Sequence, residues 1–107
     1  MYIELNAKGG DHHRLCEELK RVGFRKTEKG YEKLGSAEHG TTTVQVLAPQ
    51  NSVEIYFGSM GLPQCVSRDN MTPDALAALD LALQYVMCPE VKDHTGKVID
   101  AKGLLDR

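Results

Sequence analysis

From Thr41 to Gly58 the chain alternates apolar and polar residues on both sides of a turn signal. Val44 and Val46 alternate with Thr43, Gln45 and Leu47; beyond Pro49-Gln50-Asn51, the residues Val53, Ile55 and Phe57 alternate with Glu54 and Tyr56. Period-two alternation around a Pro/Asn break predicts a half-buried β-hairpin. Its apolar set, Val44, Val46, Val53, Ile55 and Phe57, should point one way, toward a cover.

Upstream, Ile3 and Leu5 alternate with Tyr2 and Glu4, which predicts a short strand over Tyr2–Leu5. After Lys8-Gly9-Gly10 the spacing becomes helical: Leu15, Cys16, Leu19 and Val22 share one face, and His12 lies with them. Asp11 is the expected N-cap of this helix and Gly23 its C-terminal stop. Phe24–Thr27, a Glu28-Lys29-Gly30 turn and Tyr31–Leu34 predict a second hairpin, with Gly30 as the left-handed residue of a three-residue loop. Gly35 to Gly40 reads as a connection into the central hairpin, Gly58 to Pro63 as loop, and Gln64 to Ser67 as a short edge strand. A second helix is announced by Thr72 as N-cap, Pro73 at the first helical position and Asp74 in the first turn. It should run to Met87 or Cys88, before Pro89. Ala75, Leu76, Leu79, Ala82, Leu83, Val86 and Met87 form its apolar face, and Asp80 and Gln84 its wet side.

The order β-α-β-β-β-β-α predicts an α+β fold, an antiparallel β-sheet with two helices packed on one face. The other face of the sheet would carry Tyr2, Glu4, Gln45, Leu47, Glu54 and Tyr56. This single domain covers residues 1–90. Residues 91–107 form a tail with a turn at Asp93-His94-Thr95-Gly96, partly docked through Val98-Ile99 and Leu104-Leu105 or flexible.

Composition narrows the partners. With 107 residues, 41% apolar and 26% charged, the chain suits one domain with one core. A net charge of −2 argues against a nucleic-acid coat or a polybasic membrane binder. No stretch approaches the ~18 apolar residues of a membrane span, and MYIELNAKGG has no apolar signal region. Cys16, Cys65 and Cys88 are odd in number and widely spaced, so reduced thiols in a cytoplasm are expected rather than a disulfide framework.

Candidate chemistry is sparse. His12 and Cys16 lie four apart on a helix, but the paired short spacings of zinc sites are missing, so no metal and no cofactor are expected. Cys16 lies mid-helix on the apolar face and Cys88 at a helix C-terminus, the wrong end of the dipole for a thiolate. Cys65 follows a Gly/Pro loop and could be exposed, with His39 or His94 as a base. Gly58-Ser59-Met60-Gly61 has neither the helix nor the Lys of a phosphate loop. No catalytic residue is assigned.

Charge is distributed unevenly. Lys20, Arg21, Arg25, Lys26, Lys29 and Lys33 face only Glu28 and Glu32, whereas Arg68 alone stands against six acids from Glu38 to Glu90. The basic stretch is a candidate anion or nucleic-acid contact. In element order the helix-strand-strand-strand-helix core resembles the double-stranded-RNA-binding arrangement and the small mRNA-cleaving toxins built on it. Those toxins carry a glycine-flanked histidine on a central strand, whereas His39 falls in a connection, and the second helix has no basic N-terminal residues. On a helical wheel Asp74, Ala78, Leu81 and Tyr85 share a sector outside the main apolar face. With Tyr56 and Leu47 on the sheet, Ala78, Leu81 and Tyr85 are candidate partner-binding residues. The reading that follows is a small non-enzymatic, protein-binding inhibitor or accessory domain, with a homodimer among its assemblies. The alternative is a nucleic-acid binder using residues 20–33, binding weakly and at low salt only. No membrane partner is expected.

Overall fold

A computed structural model describes residues 2–6, 10–37, 40–47, 52–57, 71–86 and 90–105. Its elements follow as β1 (Tyr2–Asn6), α1 (His12–Arg21), β2 (Arg25–Lys26), β3 (Tyr31–Ala37), β4 (Gly40–Leu47), β5 (Ser52–Tyr56), α2 (Pro73–Tyr85), β6 (Glu90–Asp93) and α3 (Ala101–Leu105). The strands form one antiparallel sheet in the order β2-β3-β4-β5-β1-β6. This is the expected α+β architecture, extended by a sixth strand.

Topology explains why the helices share a face. Each neighbouring pair is antiparallel, so β1 and β2 run parallel to each other, as do β5 and β6. Thus α1 joins one parallel pair and α2 the other, crossing the sheet in opposite directions on strands of opposite sense. With the usual right-handed crossover for both, the two helices land on the same side. There α1 and α2 pack on each other, and α3 packs on α2.

Beneath them, Ile3, Leu5, Val44, Val46, Val53, Ile55 and Phe57 are buried, as the alternation requires. Leu15 and Leu19 reach this core from α1, and Ala75, Leu79 and Ala82 from α2. Val22 is partly exposed, because α1 ends there.

The caps form as the sequence signals. Asp11 accepts a bond from the Arg14 N–H at 2.9 Å, and Thr72 one from the Ala75 N–H at 3.2 Å. At the end of α1, Gly23 adopts φ +104. The Phe24 N–H then returns to the Leu19 carbonyl and the Gly23 N–H to Lys20, a Schellman closure that seats Phe24 in the core.

Three expectations change. Gly30 is not left-handed; among the described residues the left-handed glycines are Gly10, Gly23 and Gly96. Gly30 is needed for space instead, since a Cβ there would collide with the Val46 carbonyl oxygen and Leu47. The Thr27–Gly30 turn closes through Thr27 N–H to the Gly30 carbonyl at 2.7 Å and Gly30 N–H to Thr27 Oγ1 at 3.2 Å.

Second, the connection expected over 35–40 is largely strand: β3 continues to Ala37 and pairs with β4 as far as Gly40. Third, the tail is part of the domain. Glu90–Asp93 pair with Ile3–Asn6, and Lys97 to Ile99 fold back along the outer side of β6 through the expected turn, with Gly96 at φ +86. The expected loop at 58–63, the edge strand at 64–67, and the residues His39, Cys65, Met87 and Cys88 lie outside the described residues.

Candidate binding surface

The face opposite the helices carries two rows of side chains set by register. One runs Arg25, Glu32, Gln45, Tyr56; the other runs Leu47, Glu54, Glu4, Lys92. Gln45 and Lys92 are exposed, and Leu47, Tyr56, Glu4 and Glu54 are half-buried. Leu34, one step farther along β3 on the same face, is 61% exposed. A surface cleft of 380 Å³ opens between the Thr27–Gly30 turn and this face, with Lys29, Glu32, Gln45 and Leu47 in its lining.

Electrostatics divide the face. Glu4 and Glu54 stand directly opposite one another, a like-charged pair that costs stability in a sheet. The Tyr56 hydroxyl donates to Glu54 Oε1 at 3.0 Å and relieves part of that cost. Lys92 turns away, to Glu90 at 3.2 Å. At the other edge Arg25 lies 3.8 Å from Glu32.

The α2 sector expected to meet a partner is a helix–helix seam instead. Ala78 is 1% exposed, and Leu81 and Tyr85 are half-buried against the core. Their cover is α1. The Asp11 N–H donates to the Tyr85 carbonyl at 2.7 Å, and the Arg14 guanidinium sits 5.6 Å from the Tyr85 ring centroid, a cation–π contact. At the opposite end, Lys33 Nζ reaches Asp74 Oδ1 at 3.0 Å and the Val22 carbonyl at 3.1 Å. The two helices are thus antiparallel neighbours, and the small Ala78 lies between these ties. Ala78 is thus inside the fold, Leu81 and Tyr85 are half-buried at its margin, and Tyr56 and Leu47 lie on the open face.

The basic stretch separates likewise. Lys33 is occupied by its structural tie, satisfying an orphan carbonyl at the end of α1 as well as Asp74. Arg21 pairs with Glu18 at 3.7 Å. Lys20, Lys26 and Lys29 are exposed and make no ion pair among the described residues.

Cys16 is a half-buried free thiol packed against the core, and His12 is half-buried beside it on α1. Burial raises the Tyr31 phenol above its ordinary value of 10.0, helped by its contact with the Cys16 thiol and by the charge of Glu17. Among the described residues no three His, Cys, Asp or Glu side chains converge on one point.

Alternation made most of the open face legible, but Leu34 escaped notice. The signal was parity along β3: with Tyr31 inward, Leu34 falls on the same side as Glu32. Neither a protein-family model nor a curated protein nor a solved structure matches this chain. Among the described residues, no helix is long and apolar enough to cross a membrane.

Proposed function

We propose that this chain is a small non-enzymatic protein-binding domain, of inhibitor or accessory type, acting through the sheet face opposite its helices. The observation that supports this reading is the apolar surface there: Leu34 at 61% exposure, with half-buried Leu47 and Tyr56 beside exposed Gln45. Aromatic and aliphatic anchors in a polar surround are the usual core of a protein interface. A homodimer would use the same face, since the α2 sector is taken by α1.

The test is affinity capture from the cells that make the chain, with nuclease treatment, using wild type and Leu47→Glu. We expect a stoichiometric protein bound by wild type and held about tenfold more weakly by the variant, a loss of ~1.4 kcal/mol. The variant should melt lower, because residue 47 pairs with Glu54, so binding is compared at a temperature where both proteins are fully folded. Equal binding by both proteins would remove this face from the interface.

Nucleic-acid binding is expected to be weak. Among the described residues, Lys20, Lys26 and Lys29 are the cations of the basic stretch without an ion pair, and Glu4 and Glu54 repel a polyanion on the open face. Three phosphate contacts give a log-log salt slope of about −2 to −3. Gel shifts should show binding at low salt that disappears near physiological ionic strength. Sub-micromolar affinity there would favour the nucleic-acid reading instead.

A further inference from the structure

We propose that the outer edge of β3, from Leu34 to Ala37, accepts an extended acidic segment of a partner protein as an added strand. This deepens the protein-binding reading and rests on it. Among the described residues the edge is free, because its neighbours differ in length. β3 has seven residues, whereas β2 has two and pairs only with Tyr31 and Glu32. β2 cannot be longer, since its chain comes directly from the left-handed turn at Gly23 that closes α1.

Bonding alternation fixes which groups face outward. The Thr27 N–H donates to the Gly30 carbonyl, so the next hydrogen-bonded pair is Arg25 with Glu32. Leu34 and Ser36 have the same parity as Glu32. Their N–H and C=O groups therefore point past the end of β2, and no strand among the described residues pairs with them.

A side-chain site adjoins these backbone groups. Where β2 ends, a pocket of 280 Å³ is lined by Gly23, Arg25, Glu32, Lys33 and Leu34. Gly23 presents bare backbone there, with the Lys33 stem beside it. Exposed edges are normally guarded by a charge. Arg25 and Lys26 guard β2, but the free segment begins with exposed Leu34 and has no charged residue from Leu34 to Ala37. Main-chain bonds with a pocket for one side chain are the elements of recognition by strand addition.

Charge selects the occupant. Arg25 and Lys33 line the pocket against Glu32, and Arg21 closes α1 two residues before Gly23; among the described residues the carboxylates nearest the two arginines lie at 3.7 and 3.8 Å, and both guanidinium side chains are 79% exposed. An acidic strand is attracted and a basic one repelled. A second copy would bring the same cationic rim.

The probe is a fluorescein-labelled heptapeptide alternating Glu and Val, followed by anisotropy against the full chain. Its controls are a twin N-methylated throughout its backbone and a twin alternating Lys and Val. We expect saturable binding of the acidic peptide and about tenfold weaker binding of either twin. Leu34→Glu should weaken binding by a similar factor with unchanged melting, by removing the apolar contact and repelling the acidic peptide, and Ser36→Pro should do so by removing an outward donor. Because proline there could disturb β3 itself, amide exchange provides an independent reading. In the free protein the Leu34 and Ser36 amides should exchange rapidly, and saturating peptide should slow them about tenfold or more.

The proposal is overturned by the absence of saturable binding, by either twin binding as well as the acidic peptide, or by Leu34 and Ser36 amides already protected in the free protein. A wild-type dimer that Leu34→Lys converts to monomer in sedimentation would also overturn it, making a second copy the occupant. If the peptide fails while wild type captures a protein that Leu47→Glu loses, the edge is wrong and the protein-binding reading stands. If the peptide fails and no protein is captured, both fall.

Discussion

Leu79→Ala and Ile55→Ala should each lower the unfolding free energy by ~2–5 kcal/mol, in the range of large-to-small changes in a closed core. Both side chains are fully buried. Ile55 is paired to Ile3 on one side and Val46 on the other, in the middle of the sheet. Leu79 comes down on this layer from α2, between the buried Ala75 and Ala82. Small residues on the same helical face leave little side-chain volume to move into a new cavity, so relaxation should recover little of the loss. Urea unfolding should show a lower midpoint with an unchanged slope, because the surface exposed on unfolding hardly changes. Leu34→Ala, on the open face, should cost less than ~0.5 kcal/mol. If both core variants lost under ~1 kcal/mol, the inward and outward faces would have been assigned the wrong way round.

The faces were legible because a strand's period of two leaves no freedom once one residue is placed. Val44, Val46, Val53, Ile55 and Phe57 could only go inward together. The caps were equally local: Asp11, Gly23 and Thr72 act through bonds three to five residues away. What escaped was long-range. The wheel separated Ala78, Leu81 and Tyr85 from the main apolar face, but it has no information on a second helix lying alongside. α1 is the cover, and a sector that looks like a docking stripe in isolation is a seam in the fold. In the sequence Lys33 is one more cation in a basic run. Its role depends on Val22 and Asp74 meeting at the end of the α1–α2 pair, which no spacing within residues 20–33 reveals.

Residues 90–105 show the same limit from another side. β6 joins the sheet beside β1, which is nearly the whole chain away in sequence. Its four-residue pattern of alternate burial includes a charged residue on the inward side, Asp93, so hydropathy alone gave no strand. The turn at 93–96 was visible, but the reason for an acid at its start was not.

Replacing that acid should have the second large effect. Asp93 is 2% exposed, and its Oδ1 accepts from the Thr95 N–H at 2.9 Å, the Thr95 hydroxyl at 2.6 Å and the Lys97 N–H at 3.1 Å. These bonds shape the turn that folds Lys97–Ile99 back along β6. Oδ2 is buried without a partner among the described residues, as are both ring nitrogens of His94. Burial by itself would push this carboxyl upward, but the bonds from Thr95 and Lys97, with His94 nearby, outweigh it and hold it below its ordinary 3.8. A folded value below the unfolded one means that the unfolded chain binds more protons in the acid range, so stability rises with pH there. The contribution of Asp93 is complete above about pH 5 and disappears as pH falls through the folded value. At neutral pH, Asp93→Ala should cost about 2–4 kcal/mol through the loss of three bonds at a buried turn. Asp93→Asn keeps an acceptor at Oδ1 but not the charge, and should cost about half as much. The decisive comparison is chemical denaturation from pH 7 down to pH 2.5. Wild type should lose its advantage over Asp93→Asn as the acid is added, and the two curves should converge at the low end. A difference that stays constant over the whole range would show that the charge of Asp93 contributes nothing and that only its shape matters.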